Sequence, residues 1–168
     1  PVPSTPSHPF TPGQEPAAVP EQIGPYRITG VIGFGGMGAV YEAIQESPKR
    51  RVALKVVKPG WLTEPVLRRF AFETQVLGRL RHPGIAQIYE AGTFEDKFGV
   101  RPYFAMEYIP GATLSDILNP KRFPHEFPKQ VGLRIIAEMA DAMEAAWSRP
   151  SAVTGQPLQV LHRDIKPA

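Results

Sequence analysis

Apolar and polar positions alternate along three short runs near the start of the chain. "YRITGVI" (26–32), "AVYEAI" (39–44) and "RVALKVV" (51–57) each have the period of two that a strand with one buried face requires, so three antiparallel strands are predicted. A glycine-rich turn separates the first two, and "SPKR" and "KPG" bound the third. From Glu64 to Leu80 the period lengthens. Val66, Phe70, Leu77 and Leu80 share one face of a predicted helix, and Glu73 sits in the middle of that face. "IAQIYEAG" (85–92) and "RPYFAMEY" (101–108) predict two further strands joined by a charged loop, giving a sheet of five. The clearest helix follows: Leu133, Ile136, Ala137, Ala140, Met143 and Trp147 form an apolar stripe with Arg134, Glu138 and Asp141 opposite. "SRPSAVTGQP" then reads as a loop, and "LQVLH" as a short strand leading into "RDIKPA".

Composition changes this picture at the N-terminus. Seven of the 20 prolines fall in the first twenty residues, which have too few apolar side chains to offset the entropy of ordering. Residues 1–22 are therefore expected to be a disordered, Pro-rich linker. No window of 18 apolar residues occurs, and no signal segment opens the chain. The absence of cysteine excludes disulfides and thiolate metal sites and makes a reducing, cytoplasmic setting the expectation. The net charge of +3 includes "KRR" at 49–51 and Arg68, Arg69, Arg79 and Arg81. No aromatic residues interleave with these cations, so they are read as solvated faces and no nucleic-acid partner is expected.

The chemistry begins at "GFGGMG", where Gly33, Gly35 and Gly38 have the G-x-G-x-x-G spacing that lets backbone amides approach a polyphosphate. A dinucleotide fingerprint needs a helix directly after these glycines. Here Val40 and Tyr41 continue a strand, so that alternative is disfavoured. Lys55 lies within "VALKVV" on the same face as Ala53, whose small side chain leaves room for a flat ligand. Glu73, on an apolar helix stripe, needs a cation to offset its desolvation, and Lys55 is the candidate partner. Such a pair holds a lysine ready for phosphate oxygens.

"GFGGMGAVY", "VALK", the helix with Glu73, "HP" at 82–83, "MEY" at 106–108 and "HRDIKPA" occur in the order found in eukaryotic-like protein kinases, and the wording is most similar to the Hanks-type bacterial serine/threonine kinases. The resemblance covers about residues 24–168. It implies an α+β, protein-kinase-like fold: a five-stranded antiparallel N-lobe sheet with one helix of the αC type over 23–109, and the first helices of a mainly α C-lobe over 110–168. The implied activity is transfer of the γ-phosphoryl group of ATP to a Ser or Thr hydroxyl of a protein substrate. By the same resemblance Gly33, Phe34, Gly35, Gly36, Met37 and Gly38 cover the phosphates, and Ile32, Val40 and Ala53 sandwich the adenine. Lys55, paired to Glu73, holds the α- and β-phosphates, Met106 backs the adenine, and the Glu107 carbonyl and Ile109 amide bond the base. Asp164 orients and deprotonates the substrate hydroxyl, and Lys166 neutralises the transferred group. Arg163 implies an activation segment ordered by phosphorylation, and His162 is read as structural.

Two features depart from the family pattern. The loop between Trp147 and His162 is longer than usual, and no metal-binding Asn or Asp-Phe-Gly follows "HRDIKPA". The chain is therefore expected to be a truncated part of a kinase, with the Mg2+ ligands downstream of residue 168 and no turnover of its own. The competing expectation is a pseudokinase or nucleotide-binding regulatory module, against which intact Lys55, Glu73 and Asp164 argue. Bacterial members of the family often carry a membrane helix after the kinase domain.

Overall fold

The computed structural model describes residues 19–35, 38–57, 78, 80–97, 99–123, 126–150, 155–160 and 165. Outside these lie the Pro-rich stretch to Ala18, Gly36, Met37, the predicted helix 64–80 except Gly78 and Leu80, and His162, Arg163, Asp164 and Lys166. The chain divides into two units: Pro1–Thr63 with Ala91–Ala105, and Glu64–Glu90 with Met106–Ala168. Among the described residues no helix is long and apolar enough to cross a membrane.

Among the described residues six strands make one sheet: β1 (Gln22–Ile23), β2 (Tyr26–Phe34), β3 (Gly38–Glu46), β4 (Lys49–Val57), β5 (Ile88–Asp96) and β6 (Gly99–Glu107), in the order β1-β2-β3-β4-β6-β5. The strand beyond the expected five is β1, whose first residue, Gln22, falls in the expected linker. It exists because Gly24, at φ +53°, turns the chain tightly enough to pair Ile23 with Tyr26 and Gln22 with Arg27. Ile23 and Tyr26 are both buried by that turn.

Alternation along β4 decides where the core sits. Val52, Leu54 and Val56 are essentially inaccessible and turn to one face with Ala43, Tyr103 and Ala105, while Ile28, Tyr41 and Phe94 pack around them. Burying each such aliphatic side chain contributes about 1.5–3 kcal/mol. The Tyr103 ring meets Tyr26 edge-on at 5.5 Å between centroids and 73° between planes, a geometry worth about 0.5–1.5 kcal/mol beyond burial. The hairpin of β5 and β6 is tighter than predicted, since both strands extend into the expected loop of 93–100 and β6 starts at Gly99, φ +100°. Arg101 makes the extra length possible, because its guanidinium pairs with Asp96 at 2.8 Å and neutralises a charge that the pattern had assigned to a loop.

In the other unit, α1 (Leu114–Ile117) starts at a reciprocal cap in which the Thr113 side chain accepts from the Asp116 amide and the Asp116 carboxylate accepts from the Thr113 amide. The long helix α2 (Lys129–Ser148) covers the predicted stripe. Of its side chains only Ala142 is buried, while Leu133 and Ile136 remain 68% and 63% exposed. On its polar face Arg134 pairs with Glu138 at 2.9 Å, one turn along. After the helix, residues 158–160 form no strand, contrary to the reading of "LQVLH". Their amides are used elsewhere: Leu158 N–H donates to the Arg149 carbonyl at 2.8 Å and Gln159 N–H to that of Trp147 at 3.0 Å. The returning loop thereby satisfies carbonyls that a helix end leaves open.

Candidate functional site

The glycine-rich turn is a hairpin tip between β2 and β3. Gly35 and Gly38 exchange two backbone hydrogen bonds, 2.8 Å from the Gly35 amide and 3.3 Å from the Gly38 amide. Its glycines have different physical reasons. A Cβ on Gly33 would meet nothing within 4 Å, and one on Gly35 only the Gly38 carbonyl oxygen at 3.9 Å, whereas one on Gly38 would lie 2.0 Å from the Val56 carbonyl oxygen. Gly38 is thus demanded by the approach of β4, and Gly33 leaves open space above the sheet. Phe34, at the tip, is exposed.

Strand register assembles the rest of this surface. Gly33 stands opposite Val40, and Val40 opposite Lys55, so the three form a row across β2, β3 and β4. The next row is Gly30, Glu42 and Ala53. Directly paired residues point to the same side of a sheet, which places Val40, Ala53 and Lys55 on the face away from the Val52, Leu54 and Val56 core. Arg51 and Glu42 form an ion pair at 3.3 Å on this face. Ile32 is the extra residue of a bulge between the Val31 and Gly33 pairings, and so has no direct cross-strand partner in β3. The surface offers an apolar platform, a cation and a patch with no Cβ beside it, which fits a flat aromatic base carrying a polyphosphate.

Met106 and Glu107 end β6. The Glu107 amide donates to the Gln87 carbonyl at 2.8 Å, while its carboxylate accepts from the Gln87 amide at 3.2 Å. The Gln87 side chain in turn donates to the carbonyls of Gly78 at 3.0 Å and Ile88 at 2.9 Å. Ile109 follows, 63% exposed. Nearby, His82 of the "HP" motif accepts the Gly84 amide at Nδ1, 3.0 Å, which leaves its proton on Nε2 to be donated to Asp141 Oδ2 at 3.0 Å. Ala142 packs close to Gly84 beside this bond.

Of the expected site residues, the structure brings Gly33, Val40, Ala53 and Lys55 onto one surface and puts Met106, Glu107 and Ile109 at and beyond the end of β6. Gly36, Met37, Glu73, Asp164 and Lys166 lie outside the described residues, and with them the expected Lys55–Glu73 pair. Sequence reasoning passed over Gln87 and Arg101. Their partners are 9 and 44 residues away, and strand order is what brings Val57 to Arg101.

A family profile for the protein kinase domain matches residues 26–168. The chain is similar to serine/threonine-protein kinase PknB of Mycobacterium leprae, 33% identical over 144 residues, which covers 85% of this chain and 21% of the relative. It is also similar to serine/threonine-protein kinase PknA of Mycobacterium tuberculosis, 32% identical over 152 residues, 86% of this chain and 31% of that one. The crystal structure of the Mycobacterium tuberculosis PknI kinase domain superposes with a TM-score of 0.67 at 30% identity, covering 88% of this chain and 55% of that domain. The chain therefore spans about a fifth to a third of the length of these curated relatives and about half of the solved kinase domain.

Proposed function

This chain belongs to the protein kinase domain family, as the N-terminal part of a Hanks-type bacterial serine/threonine kinase, and we propose that the protein containing it transfers the γ-phosphoryl group of ATP to Ser or Thr hydroxyls of protein substrates. One observation carries the reading beyond family membership: the row of Gly33, Val40 and Lys55 across three adjacent strands. Val40 and Ala53 offer apolar contact to a purine ring, and the glycines admit phosphates close to backbone amides. Lys55 supplies a cation at the height of the loop, where it stabilises α- and β-phosphate oxygens. The backbone of Glu107 and Ile109 bonds the base edge, with Met106 behind it.

Asp164 accepts the proton of the attacking hydroxyl, and Lys166 offsets charge that builds on the transferred group. Glu73 holds Lys55 in its phosphate-binding position. Magnesium, when bound, would supply charge neutralisation to the nucleotide's phosphates. The chain covers only part of its curated relatives, so the activity is proposed for the full-length protein. The absence of cysteine supports a cytoplasmic setting, or the cytoplasmic side of a membrane in an anchored protein.

The test is incubation of full-length protein with γ-labelled ATP and a generic protein substrate, followed by phosphoamino-acid analysis. Label on serine or threonine supports the reading. Nucleotide binding without any label on protein contradicts it and favours a regulatory module.

A further inference from the structure

Lys55 is two residues from the end of its strand, and that end is held by a side chain from β6. Arg101 donates to the Val57 carbonyl from both Nε, 3.0 Å, and Nη2, 2.9 Å, and to Asp96 Oδ2 from Nη1 at 2.8 Å. Its guanidinium lies 5.5 Å from the centroid of the Phe94 ring, and its side chain is only 14% exposed. Val57 faces Gly38 across the sheet, one residue beyond the Val56 carbonyl on which Gly38 closes. One partly buried cation thus joins the last rung of β4 to the β5–β6 hairpin, and that rung also carries the final glycine of the loop.

From this arrangement we infer that Arg101, oriented by Asp96, is a positioning residue for phosphate binding: it fixes the end of β4 and so the backbone that carries Lys55 opposite the glycine loop. The inference rests on the phosphate role proposed for Lys55. A guanidinium suits the task because its planar fork reaches one carbonyl twice and a carboxylate once. A lysine ammonium, a single compact charge, meets that pattern only in part. Loss of Arg101 leaves the Val57 carbonyl without its charged donors and lets the strand end move. Ala53, two residues farther from Val57 than Lys55 is, keeps its own pairing with Glu42, so part of the apolar platform stays in place. Phosphate binding is then lost selectively, and base binding is kept.

The experiment compares ATP and adenosine affinities of the full-length protein by calorimetry, for wild type, Arg101→Met, Arg101→Lys, Asp96→Asn and Lys55→Met. Arg101→Met is expected to weaken ATP binding about tenfold, the equivalent of one charge-assisted hydrogen bond, with adenosine changed less than about twofold. Arg101→Lys is expected to recover part of the loss, and Asp96→Asn to show a smaller loss in the same direction. Equal weakening of both ligands, or no change in ATP affinity, overturns the inference. If Arg101→Met does not fold, Arg101→Lys and Asp96→Asn decide it: a selective ATP loss supports the role, and an unchanged ratio of affinities overturns it. Lys55→Met separates the two levels. If it spares the ATP preference, the phosphate role of Lys55 falls and the positioning role with it. If it removes that preference while the Arg101 and Asp96 variants do not, only the positioning role falls.

Discussion

Gly38 packs against Val56 so closely that an added Cβ would stand 2.0 Å from the Val56 carbonyl oxygen. The obstacle is backbone on a central strand, which has no rotamer to move aside. Gly38→Ala is therefore expected to cost about 1–3 kcal/mol, as overpacking of a close-packed region does. Gly33→Ala, with open space at its Cβ, is expected to stay within about 0.5 kcal/mol of wild type in stability. It should still weaken ATP binding, since its methyl group occupies room that phosphates need. Urea denaturation and nucleotide titration of both variants check the contrast: stability loss belongs to Gly38, affinity loss without stability loss to Gly33.

Tyr41 gives the fold a pH dependence at its alkaline end. Burial raises the phenol above its ordinary value of 10.0, outweighing the opposite pull of the Arg101 charge. A raised folded-state value means that the stability of the buried neutral phenol is complete below 10.0 and is lost as pH rises through the folded-state value. Denaturant midpoints on either side of 10.0 should fall more steeply for wild type than for Tyr41→Phe. Parallel curves for the two proteins would remove Tyr41 from the account.

Gln87 ties the strand segment beside Glu107 to Gly78 through its side-chain amide. Gln87→Leu keeps the side-chain bulk but deprives the Gly78 and Ile88 carbonyls of a donor. The expected cost is about 1–3 kcal/mol, read from chemical denaturation. A variant as stable as wild type would mean that water replaces the amide at no cost.

Much of the proposed nucleotide surface was legible because it depends on period-two alternation. Val52, Leu54 and Val56 had to share a face, which left Ala53 and Lys55 on the other, and the structure agrees. The strand after Gly38 was legible for the same reason. β1 was not, because two residues are too short to show a period and its existence depends on the left-handed turn at Gly24. "LQVLH" has a strand-like pattern, yet the amides of Leu158 and Gln159 are taken by carbonyls at the end of α2, a competition that local alternation does not register. Arg101 was hidden for a third reason. Its neighbours in sequence say nothing of Val57, 44 residues earlier, which becomes its partner only once β6 lies beside β4.

The central claim is that Lys55 and Asp164 serve phosphoryl transfer from ATP, and the most direct test is the rate at which full-length protein moves labelled γ-phosphate onto protein serine or threonine. Lys55→Met and Asp164→Asn should each abolish that transfer, the latter by at least the roughly 100-fold to 10,000-fold that a positioned proton acceptor supplies, with folding cooperativity unchanged. Transfer at the wild-type rate by either variant would contradict the assignment.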